Sequence, residues 1–210
     1  AAAIATTNRI SGHLNIHIVN NIPNVNGMYL QLFDAVFLNS ATYSNPLLSS
    51  TIAHEAGHYF GLDHTHQYNN RGSCYKEAVD RNRTWPTFSL CLPSLFGRKI
   101  SESTGDGLKD TPADPELSAN NSCVFNAYGN YTNSIDPWGD SYVNPPPGSP
   151  QPSTINLMSY ISPRSCRTNF TRLQIAVMLR SIVIGSRLQW VSRWRDQSVV
   201  YDTYEMDNEV

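Results

Sequence analysis

His54, Glu55, His58, Gly61 and His64 stand at offsets that suit a metal ion, within the run His54-Glu-Ala-Gly-His-Tyr-Phe-Gly-Leu-Asp-His64. Five fixed positions, at roughly one in twenty each, would match by chance in about one chain in 10⁴ of this length. The spacing also has a mechanical basis. Residues four apart on an α-helix project from one face, so the imidazoles of His54 and His58 can share one ion. Glycine tolerates the left-handed backbone that β-carbons disfavour, so Gly61 ends the helix and turns the chain, bringing His64 round as a third ligand. Three neutral imidazoles on zinc leave a fourth position open for water, as in catalytic rather than structural sites. Glu55 cannot easily reach the ion that its neighbour His54 binds, but it is placed to meet that water. Zinc lowers the water's pKa toward ~7, so a nearby carboxylate can take its proton as the oxygen attacks a carbonyl. The same carboxyl can then hand the proton to a leaving amine. Taken singly, these histidines would be ordinary core or surface residues and Glu55 a solvated charge. The spaced set reads as a site for amide hydrolysis.

Such a motif needs a frame. Leu14-Asn-Ile-His-Ile-Val19 alternates apolar and polar residues and predicts a half-buried strand. Met28–Phe33 and Ala35–Leu38 predict two more, separated by Asp34. A serine within residues 45–51 is the candidate cap of a helix that runs to about Phe60 and stops at Gly61. From Thr65 to Ser153 the chain is rich in Gly, Pro, Asn and Ser, and 145–152 contains five prolines, so that segment must be extended and loop-like. So long an irregular stretch needs ties such as disulfides or bound ions. Periodicity returns in Phe170–Val183, an amphipathic helix with Thr171 as candidate cap and with Leu173, Val177 and Ile184 expected on its buried side. There is no internal repeat.

The chain has 210 residues, 40% hydrophobic and 15% charged, which predicts a single globular domain rather than a disordered one. A net charge of −2 offers no basic footprint for nucleic acid. No apolar run approaches the roughly 20 residues that cross a bilayer, and residues 1–8 lack the charged and apolar regions of a signal peptide. Cys74, Cys91, Cys123 and Cys166 form no CxxC pair, which argues against a cysteine zinc site. Four dispersed cysteines fit two disulfides in an oxidising compartment, or four buried thiols in a reducing one. Their setting in Gly-, Pro-, Ser- and Asn-rich stretches favours disulfides.

A second element lies about a hundred residues downstream, at Asn156-Leu-Met-Ser-Tyr160. With the long histidine motif, Met158 resembles the methionine of the Met-turn of metzincin proteases, which sits beneath the zinc site. Tyr160 resembles the tyrosine that several metzincin families hold near the metal, where its hydroxyl stabilises the oxyanion. Two further segments, Gly105-Asp-Gly-Leu-Lys-Asp-Thr-Pro112 and Phe170-Thr-Arg-Leu-Gln174, complete a resemblance to the pappalysin family, which includes the ulilysin-like proteases. It extends from about Leu14 to Ser186.

The resemblance implies an α+β metzincin catalytic domain. Residues 1–64 would form an upper lobe of twisted mixed sheet and zinc-binding helix. Residues 65–187 would form a loop-rich lower lobe with the Met-turn and a C-terminal helix, and residues 188–210 an extension without counterpart. It implies secretion as a zymogen and zinc-dependent cleavage of internal bonds in protein or peptide substrates. The chain is expected to act as a monomer, though nothing in the sequence decides its oligomeric state. Calcium near the cleft is implied through Asp106 and Thr111, since oxygen ligands suit that ion. Cys166 matches the family cysteine after the Met-turn, with Cys123 as its partner, and Cys74 would then pair with Cys91. Residues 75–104 are longer than the usual connection, and the region before Leu14 is short for a full upper lobe. Thermolysin-like proteases also use HExxH but take a distant Glu as third ligand, and Gly61, His64 and the Met-turn argue against them. Glu55 argues against a module that only binds proteins, and an exchangeable water would argue against a purely structural ion.

Overall fold

Alternating patterns in the first forty residues become a three-stranded mixed sheet in a computed structural model, which describes residues 10, 13–43, 50–66, 77–86, 97–102, 104–115, 123, 135–161 and 164–184. Strands β1 (Asn15–Val19), β2 (Gly27–Leu30) and β3 (Ala35–Asn39) lie in the order β1-β3-β2. β1 runs parallel to β3, with Asn15 opposite Ala35, and β2 runs antiparallel to it, with Gly27 opposite Leu38. The central strand must be apolar on both faces, and Ala35 to Leu38 are all at most 1% exposed. Ala35 and Phe37 pack with Ile22 on one face, Val36 and Leu38 with Tyr59 on the other.

The strand expected over Met28–Phe33 ends at Leu30. Gln31–Phe33 instead form a 3-10 turn closed by Asp34, which adopts a left-handed conformation (φ 47°) and donates its N–H to the Gln31 carbonyl at 3.2 Å. The short polar side chain of aspartate makes that conformation tolerable.

After the single turn α1 (Ser40–Tyr43) comes α2 (Ser50–Tyr59), whose Tyr59 fills the second sheet face. Ser50 is its first helical residue, and its hydroxyl donates to the Arg164 carbonyl at 3.0 Å, tying the helix start to a distant segment. The helix ends as Gly61 predicts. Gly61 has φ +90°, its N–H donates to His58 O at 3.0 Å, and Leu62 N–H donates to Gly57 O at 2.9 Å. These two bonds make a Schellman motif.

Helix α3 (Arg172–Ile184) is capped reciprocally: Gln174 N–H donates to Thr171 Oγ1 and Thr171 N–H donates to Gln174 Oε1. Asp110 adds its carboxylate to the same end, accepting from Thr171 Oγ1 and Leu173 N–H. The expected buried side is met at Leu173 and Val177 and corrected at Ile184. Gln174 is the buried residue of α3, Leu173 and Val177 are half-buried, and Ile184 is 71% exposed. A polar anchor helps to seat this helix, because Gln174 exchanges hydrogen bonds with the Asn156 amide.

The irregular middle of the chain has the ties it needs. Cys123 and Cys166 form a disulfide; Cys74 and Cys91 lie outside the described residues, as does the 188–210 extension. Asp136 accepts from the N–H groups of Val79, Trp138 and Asp140. Glu77, only 1% exposed, accepts from Arg81 at 2.7 Å and from the Asp114 N–H at 3.3 Å. Burial pushes the Glu77 carboxyl from its ordinary 4.5 up to about 8, with Arg81 pulling it down and Asp106 adding to the rise. The folded state therefore holds this proton more tightly than the unfolded chain, and stability falls as pH rises through that window. Against Glu77→Gln, which has no proton to lose, the parent's Tm is expected to drop by roughly 5–10 °C between about pH 5 and 8. A constant difference across thermal melts would remove this role from Glu77.

Candidate metal centre

His54 and His58 leave α2 from one face, with ring centroids 4.8 Å apart, and His64 returns beyond the Schellman turn to within 5.2 Å of the first ring and 4.5 Å of the second. One ligand atom from each lies within 4.8 Å of the others, and among the described residues no other group of three or more His, Cys or acidic side chains does so. His58 Nε2 is 3.0 Å from His64 Nε2. Ligand nitrogens on a tetrahedral zinc ion, with bonds of about 2.0–2.1 Å, are separated by about 3.3 Å.

The backbone sets the tautomers. His54 Nδ1 lies 2.7 Å from Leu157 O and His58 Nδ1 lies 2.8 Å from Leu62 O. A carbonyl can only accept, so both Nδ1 atoms carry the hydrogen and both Nε2 lone pairs are left for an ion. Burial lowers His54 to about 3, the neighbouring His58 reinforcing this and the Leu157 carbonyl opposing it; burial also lowers His58. These two imidazoles are thus held in the neutral form that binds metal, and the three-histidine donor set fits a zinc-like cation.

Glu55 is 6% exposed beside this triad. Burial raises its carboxyl to about 7, while the Tyr29 backbone N–H, Arg164 and Arg167 favour the ionised form. The contact with Tyr29 places Glu55 under β2, an edge strand. Gly27 on that strand sits so close to α2 that a β-carbon would lie 2.9 Å from Thr51 Cγ2 and 3.1 Å from Glu55 Cγ. Two cavities open below β2. One of about 390 Å³ is lined by Asn26, Gly27, Glu55, Tyr160, Arg164 and Arg167. Another of about 480 Å³ is lined by Tyr29, Gln31, His58, Asp63 and His64. The triad contributes to both, so the cleft runs to either side of it.

The segment Asn156–Ser159 supports the site from below. Asn156 Oδ1 accepts from the Met158 N–H, Leu157 O orients His54, and Met158 O accepts from the Thr65 N–H just after His64. Met158 is fully buried against the middle of α2, where a β-carbon on Gly57 would lie 2.5 Å from its Sδ. Tyr160 is 39% exposed, with its ring 4.5 Å from His64 and 6.1 Å from His54.

Several supporting residues carried no motif of their own. Asp114 accepts from the hydroxyls of Thr65 and Ser159, linking the two sides of the site. His66 stacks on His64 with centroids 5.1 Å apart. Gly57 was legible in principle, since a mid-helix glycine costs about 1 kcal/mol against alanine and signals close packing. Arg164 and Arg167 gave no sequence signal.

Asp106 and Thr111 are brought together. Asp106 accepts from the N–H of Leu108 and from Gln174 Nε2, and burial raises its carboxyl to about 6 against the pull of those donors. The buried Thr111 hydroxyl has no well-aligned hydrogen-bond partner and lies close enough to favour the ionised Asp106.

The described residues thus form a mixed α+β fold in which three histidines near a helix can hold a metal ion. No helix among them is long and apolar enough to cross a membrane. The Cys123–Cys166 disulfide is consistent with an oxidising, extracellular compartment. No protein-family model matches the chain, and no curated protein matches it.

Proposed function

We propose that the chain is a secreted zinc endopeptidase of the metzincin type, similar to the pappalysins, which hydrolyses internal peptide bonds. The observation that carries this reading is the convergence of three imidazoles beside a buried carboxylate, in a cleft open on both sides. A structural ion would need a fourth protein ligand and no cleft. A cleft passing on both sides of the triad suits a chain that continues beyond the bond being cut.

Zinc, when bound, acidifies a water molecule and polarises the substrate carbonyl. His54, His58 and His64 hold the ion through Nε2, oriented by the carbonyls of Leu157 and Leu62. Glu55 takes the water's proton and delivers it to the leaving amine nitrogen. The polar groups on the outer edge of β2 align an extended substrate over Glu55. Tyr160, on the rim beside His64, donates its hydroxyl to the developing oxyanion. Asp106 and Thr111 are assigned, through the same resemblance, to a calcium site that braces the loops in front of α3.

Digestion of a peptide library by the zinc-loaded protein at neutral pH, read by mass spectrometry, is expected to give internal cuts. A chelator should abolish them and added zinc restore them. Cuts that survive chelation would sink the assignment.

A further inference from the structure

We propose that the cavity beside Glu55 receives an acidic side chain, held by Arg164 and Arg167, so that the protein cuts on the amino side of Asp or Glu. This rests on the endopeptidase reading and names its substrate class.

Two guanidinium groups line this cavity, and their partners among the described residues are neutral. Arg167 donates through Nε and Nη2 to the Ile161 carbonyl, at 3.0 and 2.9 Å. The Arg164 guanidinium lies against the side-chain amide of Asn26. Neither arginine forms an ion pair with a carboxylate of the described residues. Each charge senses the other, since Arg164 is, after burial, the main influence lowering Arg167 to about 10. The Arg167 contacts fix its fork, and the Cys123–Cys166 disulfide ties down the turn that carries Arg164. A partly desolvated arginine pair whose hydrogen-bond partners are neutral is a receptor for a planar carboxylate. Glu55 is the single acid lining the cavity, so two guanidinium groups face one carboxyl there, and Asp114 acts on Arg167 from outside the lining.

The cavity lies on the carboxyl side of the bond being cut, for two separate reasons. Antiparallel pairing is the more stable way to extend the β2 edge. β2 runs from this cavity at Gly27 toward the other at Tyr29 and Gln31, so a substrate pairing antiparallel enters past Gln31 and leaves past Asn26. In addition, Glu55 lines this cavity and delivers its proton to the leaving amine, which belongs to the residue after the cut.

The test uses two readouts. Calorimetry on the zinc-stripped full chain compares two product-like peptides that differ only in an N-terminal Glu or Gln. The Glu peptide is expected to bind about tenfold more tightly. Arg164→Gln should bring the two together, while Arg164→Lys, which keeps the charge, should retain part of the difference. In parallel, cuts made by the zinc-loaded protein should be enriched for Asp and Glu immediately after the bond. Equal binding of both peptides, or a preference untouched by Arg164→Gln, overturns the assignment. Selective binding without any cleavage overturns the endopeptidase reading alone and upholds the carboxylate site.

Discussion

A Glu55→Gln protein is expected to take up one zinc ion as tightly as the parent and to cleave peptides about 10³-fold more slowly. General acid–base catalysis contributes on the order of 10²–10⁴, and here one carboxyl would act twice, on the water and on the leaving amine. The amide keeps the size of the side chain and an acceptor for the Tyr29 N–H, so β2 and α2 stay packed. Metal content after dialysis and kcat/KM on one peptide separate the two effects. Retention of more than a tenth of the parent rate would remove Glu55 from proton transfer.

The second large effect is on stability. At a free zinc concentration a thousand times Kd, binding to the native state alone stabilises by about 4 kcal/mol. For a chain of this size each kcal/mol raises Tm by about 2–4 °C, so zinc is expected to shift the melt by on the order of 10 °C. His64→Ala should lose most of that increment. His64 lies beyond α2 and is only half-buried, so the zinc-free variant should melt within a few degrees of the zinc-free parent. Scanning calorimetry with and without zinc decides this. An undiminished increment in His64→Ala would show that His64 is not a ligand.

How far the sequence could be read depended on whether the controlling interactions were local. Gly61 was legible as a helix stop because its requirement, a left-handed backbone, is a property of one residue. The His54–His58 pairing followed from helical periodicity, and Thr171 from capping chemistry. The strands at Leu14–Val19 and Ala35–Leu38 were visible through alternation and a continuous apolar run. The end of β2 at Leu30 was not, because Gln31-Leu-Phe33 has strand-like composition and Asp34 decides the geometry from outside it. The buried side of α3 was read only in part, for a related reason. Apolar spacing pointed to Leu173, Val177 and Ile184, while the anchor is Gln174, whose partner Asn156 is eighteen residues away. The same applies at the site. The candidate metal ligands are legible because helix geometry fixes the offset of His54 and His58 and a glycine turn returns His64, whereas Asp114, Arg164 and Arg167 matter only through contacts made across the fold.

The seat of Met158 bears on how the protein endures oxidants. Sulfoxidation adds an oxygen to the thioether and makes it polar, yet Gly57 leaves less room beside that sulfur than a single methyl would need. While folded, the thioether is shielded on all sides. An unfolded chain would be open to attack there, and one oxidised before folding could not close its helix over the damaged residue. Damage at this position would therefore strike chains that have not yet folded and spare those that have.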